Sequence, residues 1–438
     1  MPGSIGPFSH GTRAVTRIKH LNCAGYVLLT LLALAPRAPG ANPSENKGRR
    51  GTYLCQTSNP TYKYYVCVPG SYSHENPAGL HLFFHGQGVP GGPGFGAWKK
   101  HFLEPFNLIG INMHYTDGDN AKDTTGKVAA AIEAIQQTIA DYKVIRGRGV
   151  VCSFSGGGLP HAMLVSKYAK RGTKRGAWPF NHSAAYGSNY RESVRGLVRM
   201  SWFLGLGSKE WNLAGAGLGR SQTSRAEELF REAANGGCPD IYLKITKDKG
   251  HSISEADRAD SAKAFRRSDL AFCAFLYERD FPETELKSIV ERANHLELGR
   301  PASALKALLA NQKLDPDLRK KAERIKEQLD ERVDAVIELA KQLAQDDPLL
   351  CGYYGRIFTQ QLRRHPRAEE LKKIIAPAKK REKSAASALS LFAKHLKDFF
   401  TSSGTLEPQS VPALKRVQTR AGESSLLGKM AGEFLTLQ

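Results

Sequence analysis

The chain has 438 residues, 41% of them hydrophobic, and its 63 Lys and Arg against 42 Asp and Glu give a formal net charge of +21. That length and apolar content exclude a wholly disordered chain and leave room for more than one domain's worth of core. The positive charge is spread along the chain, with its densest run at Lys379-Lys380-Arg381-Glu382-Lys383. Without a nucleic-acid recognition motif it reads as solvated surface, and no nucleic-acid partner is expected.

Arg13, Arg17 and Lys19 precede an apolar run from Ala24 to Ala35, and small residues continue through Gly40 and Ala41. This pattern predicts a secretory signal over residues 1–41 and a secreted or periplasmic protein. The alternative is an uncleaved anchor, although the run falls short of the roughly 20 residues a spanning helix needs. No later run reads as a membrane span, so the mature chain is expected to carry no transmembrane segment. Of the remaining cysteines, Cys55 and Cys67 flank Asn59-Pro60 and sit beside strand-like residues, which predicts a hairpin disulfide in an exported chain. No cysteine spacing suits zinc, and neither a metal nor a cofactor is expected.

Short apolar runs between turn residues predict strands at Tyr62–Val68, Leu80–Phe84, Asn107–His114, Gly149–Phe154, Leu197–Leu206 and Ile241–Thr246. Val128, Ile132, Ile135 and Ile139 have helical spacing, predicting a helix over Lys127–Lys143. Further helices are expected at Pro160–Lys170, Thr223–Ala234 and Asp260–Leu276. The alternation predicts an α/β fold, a doubly wound and mostly parallel sheet, over residues 51–280. An all-helical C-terminal region should follow. Residues 283–376 read as a helical module, with a faint tetratricopeptide-like pattern between Asp347 and Pro366. Residues 377–438 read as a basic, partly disordered tail containing one amphipathic helix, Ala385–Phe400. The helical region is a candidate seat for a protein partner.

Four turns carry the chemistry. After the strand ending at Phe154, Ser153-Phe154-Ser155-Gly156-Gly157 fits the small-x-Ser-x-Gly nucleophile elbow, a tight strand-to-helix turn that lifts a serine hydroxyl above a sheet edge. The small flanking residues make room for that turn, and the N–H of Gly156 lies at a helix N-terminus, where negative charge is favoured. After the strand ending at Phe84 comes His85-Gly86-Gln87-Gly88. The strand ending at Leu206 is followed by Gly207-Ser208-Lys209-Glu210, and the strand ending at Thr246 by Gly250-His251-Ser252.

In this serine, acid, histidine order the chain resembles the α/β-hydrolase superfamily over roughly Tyr53 to Tyr277. Within it, the chain looks like secreted polyhydroxybutyrate depolymerases, feruloyl esterase-like proteins and related small carboxylesterases. The resemblance implies Ser155 as nucleophile, His251 as general base and Glu210 as the acid; Asp248 is nearer to His251 in sequence but shares its loop, which limits its reach. It implies an oxyanion hole from Gly156 and from Gly86 or Gln87, and a structural role for His85. Ser153 in the first elbow position and Glu210 as the acid depart from the commonest pattern. Trp98, Tyr115 and Trp211 follow strands where active-site loops collect, and are expected to contact substrate. The activity implied is serine carboxylic-ester hydrolysis through an acyl-enzyme, on a small or polymeric ester. The alternatives are a catalytically inactive binding module on the same fold and a serine peptidase of the prolyl-oligopeptidase type.

Overall fold

A computed structural model describes residues 48–88, 91–115, 123–169, 180–188, 190, 199–210, 219–399 and 406–437. The signal expected over residues 1–41 and the candidate Trp211 lie outside these residues. The described strands are β1 (Gly51–Gln56), β2 (Lys63–Val68), β3 (Ala78–Phe84), β4 (Leu108–His114), β5 (Val144–Phe154), β6 (His182–Tyr186), β7 (Ser201–Gly207) and β8 (Ile241–Thr246). They form one sheet in the order β1-β2-β4-β3-β5-β6-β7-β8. β1 and β2 are antiparallel to their neighbours, and every pair from β4 to β8 is parallel.

The inner strands β3, β6 and β7 are buried along their whole length. Helices cover both faces of a parallel sheet, so such strands have no solvent face to mark with alternating polar residues. The chain steps from β3 to β4 in one direction and then back across β3 to β5. Right-handed crossovers therefore send the connections to opposite faces. The contacts divide accordingly. α1 (Thr124–Asp141) packs on α2 (Gly158–Ala169), while the short helical segment at 96–103 packs on α4 (Glu255–Phe272); α3 (Gly219–Asn235) packs beside β8. Direction reverses between β3 and β5, and the region beyond the C-terminal ends of strands at such a switch point is the usual seat of a ligand in an open α/β sheet.

The hairpin overturns the expected Cys55–Cys67 bridge. Cys55 pairs with Tyr64 and Cys67 with Thr52. Three residues of register separate the two cysteines and, because side chains alternate along a strand, they point to opposite faces. Both are buried, and neither is in a disulfide.

Beyond the sheet come α5 (Thr284–Asn294), α6 (Gly299–Ala310), α7 (Pro316–Asp346), α8 (Pro348–Gln361), α9 (Ala368–His395), α10 (Val411–Ala421) and α11 (Leu426–Leu435). Leu286, Val290, Val333, Ile337, Tyr354, Phe358 and Ile375 form a helical core of their own. The break expected at residue 377 is absent, because α9 runs through Pro377. Its first half packs in the helical core, and its second half, with Ala388 and Phe392, joins the core of the sheet. The residues expected to form a partly disordered tail are ordered where described. Phe392 packs on Phe230 of α3 and Phe434 of α11, and the Leu243 N–H of β8 meets Met430 Sδ at 3.3 Å. Leu414, Val417, Leu427, Met430 and Phe434 supply the buried apolar face. No described helix is long and apolar enough to cross a membrane.

One buried cluster ties the two regions together. Asp240, just before β8, accepts hydrogen bonds from Arg267 Nε at 2.9 Å and Nη2 at 2.6 Å on α4, and from the Tyr354 hydroxyl on α8. Asp240 is fully buried. Removing one partner of a buried ion pair strands the other charge. Asp240→Asn is expected to destabilise the fold by about 3–5 kcal/mol, read as a lower midpoint in urea unfolding.

Candidate active site

Every candidate turn follows the C-terminal end of a parallel strand. β5 ends at Phe154, and Ser155 adopts φ 52, the left-handed region that a non-glycine residue seldom occupies. Such a conformation costs on the order of 1–3 kcal/mol and persists only where its surroundings enforce it. Here the enforcement is close packing. A side chain at Gly157 would come within 2.3 Å of the Phe84 carbonyl oxygen, so only glycine lets α2 start this tightly against the end of β3. The same approach brings Gly86 against Ser155 and Phe154, and Gln87 against Gly156. The two turns expected to hold an oxyanion are therefore neighbours at the C-terminal ends of β3 and β5. His85 braces its turn by donating from Nδ1 to the Gly86 carbonyl at 2.7 Å, with its ring 4.0 Å from that of Tyr115.

The acid and the histidine arrive on the next strands. Glu210, after β7, is almost fully buried, at 1% exposure. Its Oε1 accepts from the Gly207 N–H at 2.7 Å, and its Oε2 lies 3.0 Å from His251 Nδ1. A carboxylate only accepts, so His251 donates its Nδ1–H and keeps Nε2 as a lone-pair acceptor. That Nε2 is buried and has no hydrogen-bond partner among the described residues. The His251 ring stacks on Phe154, the residue before Ser155, at 4.6 Å.

The loops carrying the pair are stitched together. Lys209 N–H donates to the Lys249 carbonyl at 3.0 Å, and Asp248 N–H donates to Ser208 Oγ at 2.8 Å. Lys249 Nζ reaches the buried Asp257 at 2.6 Å, inside the capping box that opens α4. Asp248 itself is exposed; Glu210 is the acid that touches His251.

This is an α/β-hydrolase fold. Its marks are the mixed sheet, the strained serine turn after β5, and the acid and histidine after β7 and β8. No protein-family model matches the sequence, and no curated protein does. Among solved structures, the chain is similar to a thermostable esterase, at 12% identity and TM-score 0.36, over 45% of this chain and 54% of that one. It thus spans about half the length of that esterase. It is also similar to a siderophore hydrolase from Aspergillus nidulans, at 13% identity and TM-score 0.36, over 52% of this chain and 98% of that one. A third is a ferulic acid esterase from Anaeromyces mucronatus, at 12% identity and TM-score 0.34, covering 51% and 95%.

The expected substrate aromatics are placed differently from the sequence reading. Trp98 is buried among His81, Phe83, Phe102 and Tyr186, with the Arg258 guanidinium over its ring. Tyr115 is buried too, its hydroxyl donating to the His85 carbonyl at 3.3 Å and its ring facing Lys127. Both are packing residues behind the turns. Position after a strand does not distinguish such a residue from one that lines a cleft.

Sequence reasoning passed over Gly187, which follows β6 with φ 52. A side chain there would lie 2.9 Å from both Glu210 Oε2 and His251 Nδ1. Gly187 is the floor on which the acid–histidine pair rests, and its N–H donates to the Gly205 carbonyl at 2.7 Å. The signal was only a glycine after the short stretch Ser183-Ala184-Ala185-Tyr186. Gly187→Ala is expected to push the imidazole out of line and lower turnover about 100-fold, since misplacement of about 1 Å can cost that much. Steady-state kinetics with an aryl ester would show it in kcat.

Proposed function

We propose that this protein is an exported serine hydrolase that cleaves carboxylic esters. The observation that carries the reading is the hydrogen bond between the buried Glu210 and the half-buried His251, whose ring stacks on Phe154 beside the strained Ser155 turn. Substrate binding would bring the Ser155 hydroxyl to His251 Nε2, the acceptor that the Glu210 contact leaves available; catalytic hydrogen bonds commonly tighten only at this stage. As Ser155 Oγ attacks the ester carbonyl, its proton passes to Nε2 and the carbonyl π electrons move onto oxygen. The N–H groups of Gly156 and of the Gly86–Gln87 turn stabilise that oxyanion. Its collapse expels the alcohol, which takes the proton from His251 and leaves an acyl-Ser155. Water, deprotonated by His251, then attacks the acyl-enzyme, releasing the carboxylic acid and restoring Ser155.

A fluorophosphonate probe tests the reading. The folded protein should be labelled once, at Ser155, and Ser155→Ala should not be labelled. Absence of labelling in folded wild type would favour an inactive binding module. An aryl-ester panel set against aminoacyl amides then separates an esterase from a peptidase.

A further inference from the structure

Ser153 stands two residues before Ser155, where the commonest elbow has glycine. Its side chain is fully buried, with Oγ 2.7 Å from His161 Nδ1 on α2 and 3.0 Å from Ser188 Oγ after β6. His161 Nε2 lies 3.0 Å from Ser183 Oγ on β6, and the Ser188 hydroxyl donates to the Tyr186 carbonyl at 3.2 Å. All four side chains are buried.

The proton count fixes one direction for this chain. Ser188 uses its single proton on Tyr186, so toward Ser153 it accepts. Ser153 then donates to Ser188 and must accept from His161. The imidazole therefore carries its proton on Nδ1, and its Nε2 accepts from Ser183. Each hydroxyl donates once, and all four contacts are satisfied. The opposite tautomer would make Ser153 donate to His161 and draw the Ser188 proton away from Tyr186, losing a bond. Burial pushes the His161 imidazole down to about 3, so the ring stays neutral at neutral pH.

The ends of the chain are functionally placed. Ser153 lies on the strand that presents Ser155, and His161 lies early in the helix that leaves it. Ser188 follows Gly187, on which Glu210 and His251 rest. A glycine at 153 would satisfy the steric demand of the elbow but cut this link. We propose that Ser153 is a positioning residue, locking the Ser155 turn to the 186–188 segment that supports the Glu210–His251 pair. The inference rests on the reading of Ser155 as nucleophile.

The test compares Ser153→Ala, Ser188→Ala and their double variant, with turnover expressed per fluorophosphonate-titrated site so that misfolded protein drops out. Each single change should lower kcat about ten-fold at unchanged KM, and the double variant should be little worse than either, because one link is broken in all three. Nitrogen NMR of the wild-type imidazoles should find His161 protonated on Nδ1, a readout needing neither a variant nor activity. Wild-type kcat per site in both single variants, or an Nε2-protonated His161, overturns the proposal. If the wild type is not labelled at all, the nucleophile reading is what fails, and the His161 tautomer still decides whether the link exists.

Discussion

Ser155→Ala is expected to lower ester turnover by about 10^6-fold per mole of folded protein, the loss seen when a serine hydrolase is deprived of its nucleophile. The change removes one oxygen and leaves the turn intact, because the packing that enforces φ 52 involves Gly157, Phe84 and Gly86 and not the hydroxyl. Binding and the oxyanion donors should survive, leaving about 10^3- to 10^4-fold catalysis over water. Aryl-ester hydrolysis by purified variant, with circular dichroism confirming the fold, is the measurement. A loss below ten-fold would mean that another residue attacks. Ser153 is the neighbouring hydroxyl to suspect, yet it is buried and its proton is already committed. Adding Ser153→Ala to the Ser155 variant would identify it.

The serine turn was legible because its requirements are local. An apolar strand, a small residue, a serine and glycines suffice to describe a sharp strand-to-helix turn, and no distant residue has to be known. That the loops carrying His251 and Glu210 share an edge with the serine turn was legible from the strand alternation, since each parallel strand delivers its following loop to the same edge of the sheet; which of their residues to single out came from the resemblance. What remained hidden depends on register and on distant packing. The cysteine pair looked bridgeable from spacing, but Thr52 opposite Cys67 puts Cys55 on the other face. The strand β6, His182–Tyr186, is five residues long with two polar side chains, His182 and Ser183, bonded inside the core. Polar residues satisfied by distant partners look like loop in a sequence. Gly187 and Ser188 were missed with it.

The C-terminal residues were misread for a related reason. Lysines and arginines between 377 and 438, together with Pro377, suggested a solvated tail. The apolar residues spaced among them are the buried face of helices that cover the sheet near β8. Basic residues on the outer face of an amphipathic helix raise the net charge without lowering its capacity to pack. The aromatics erred in the other direction. Trp98 and Tyr115 looked like substrate contacts, yet the Tyr115 hydroxyl and ring are taken by His85 and Lys127, and the Trp98 ring is covered by Arg258.

Glu210→Gln should lower kcat about 10^4-fold, the cost of exchanging a triad carboxylate for its amide. The reason is specific to this geometry. One carboxylate oxygen is held by the Gly207 N–H, and the other faces His251 Nδ1. In the glutamine variant the amide carbonyl must take the Gly207 N–H, because an NH2 group there would oppose a donor with a donor. That choice turns the NH2 toward Nδ1. The imidazole then shifts its proton to Nε2 to accept from the amide, and a protonated Nε2 cannot take the proton of Ser155. Fold and KM should change little, since the shape of the side chain is kept. Asp248→Asn provides the contrast, because Asp248 is exposed and bound through its backbone N–H to Ser208 Oγ. It should keep nearly full turnover. The reverse pattern, with Asp248→Asn inactive and Glu210→Gln active, would move the acid to the histidine's own loop and require that loop to rearrange on substrate binding.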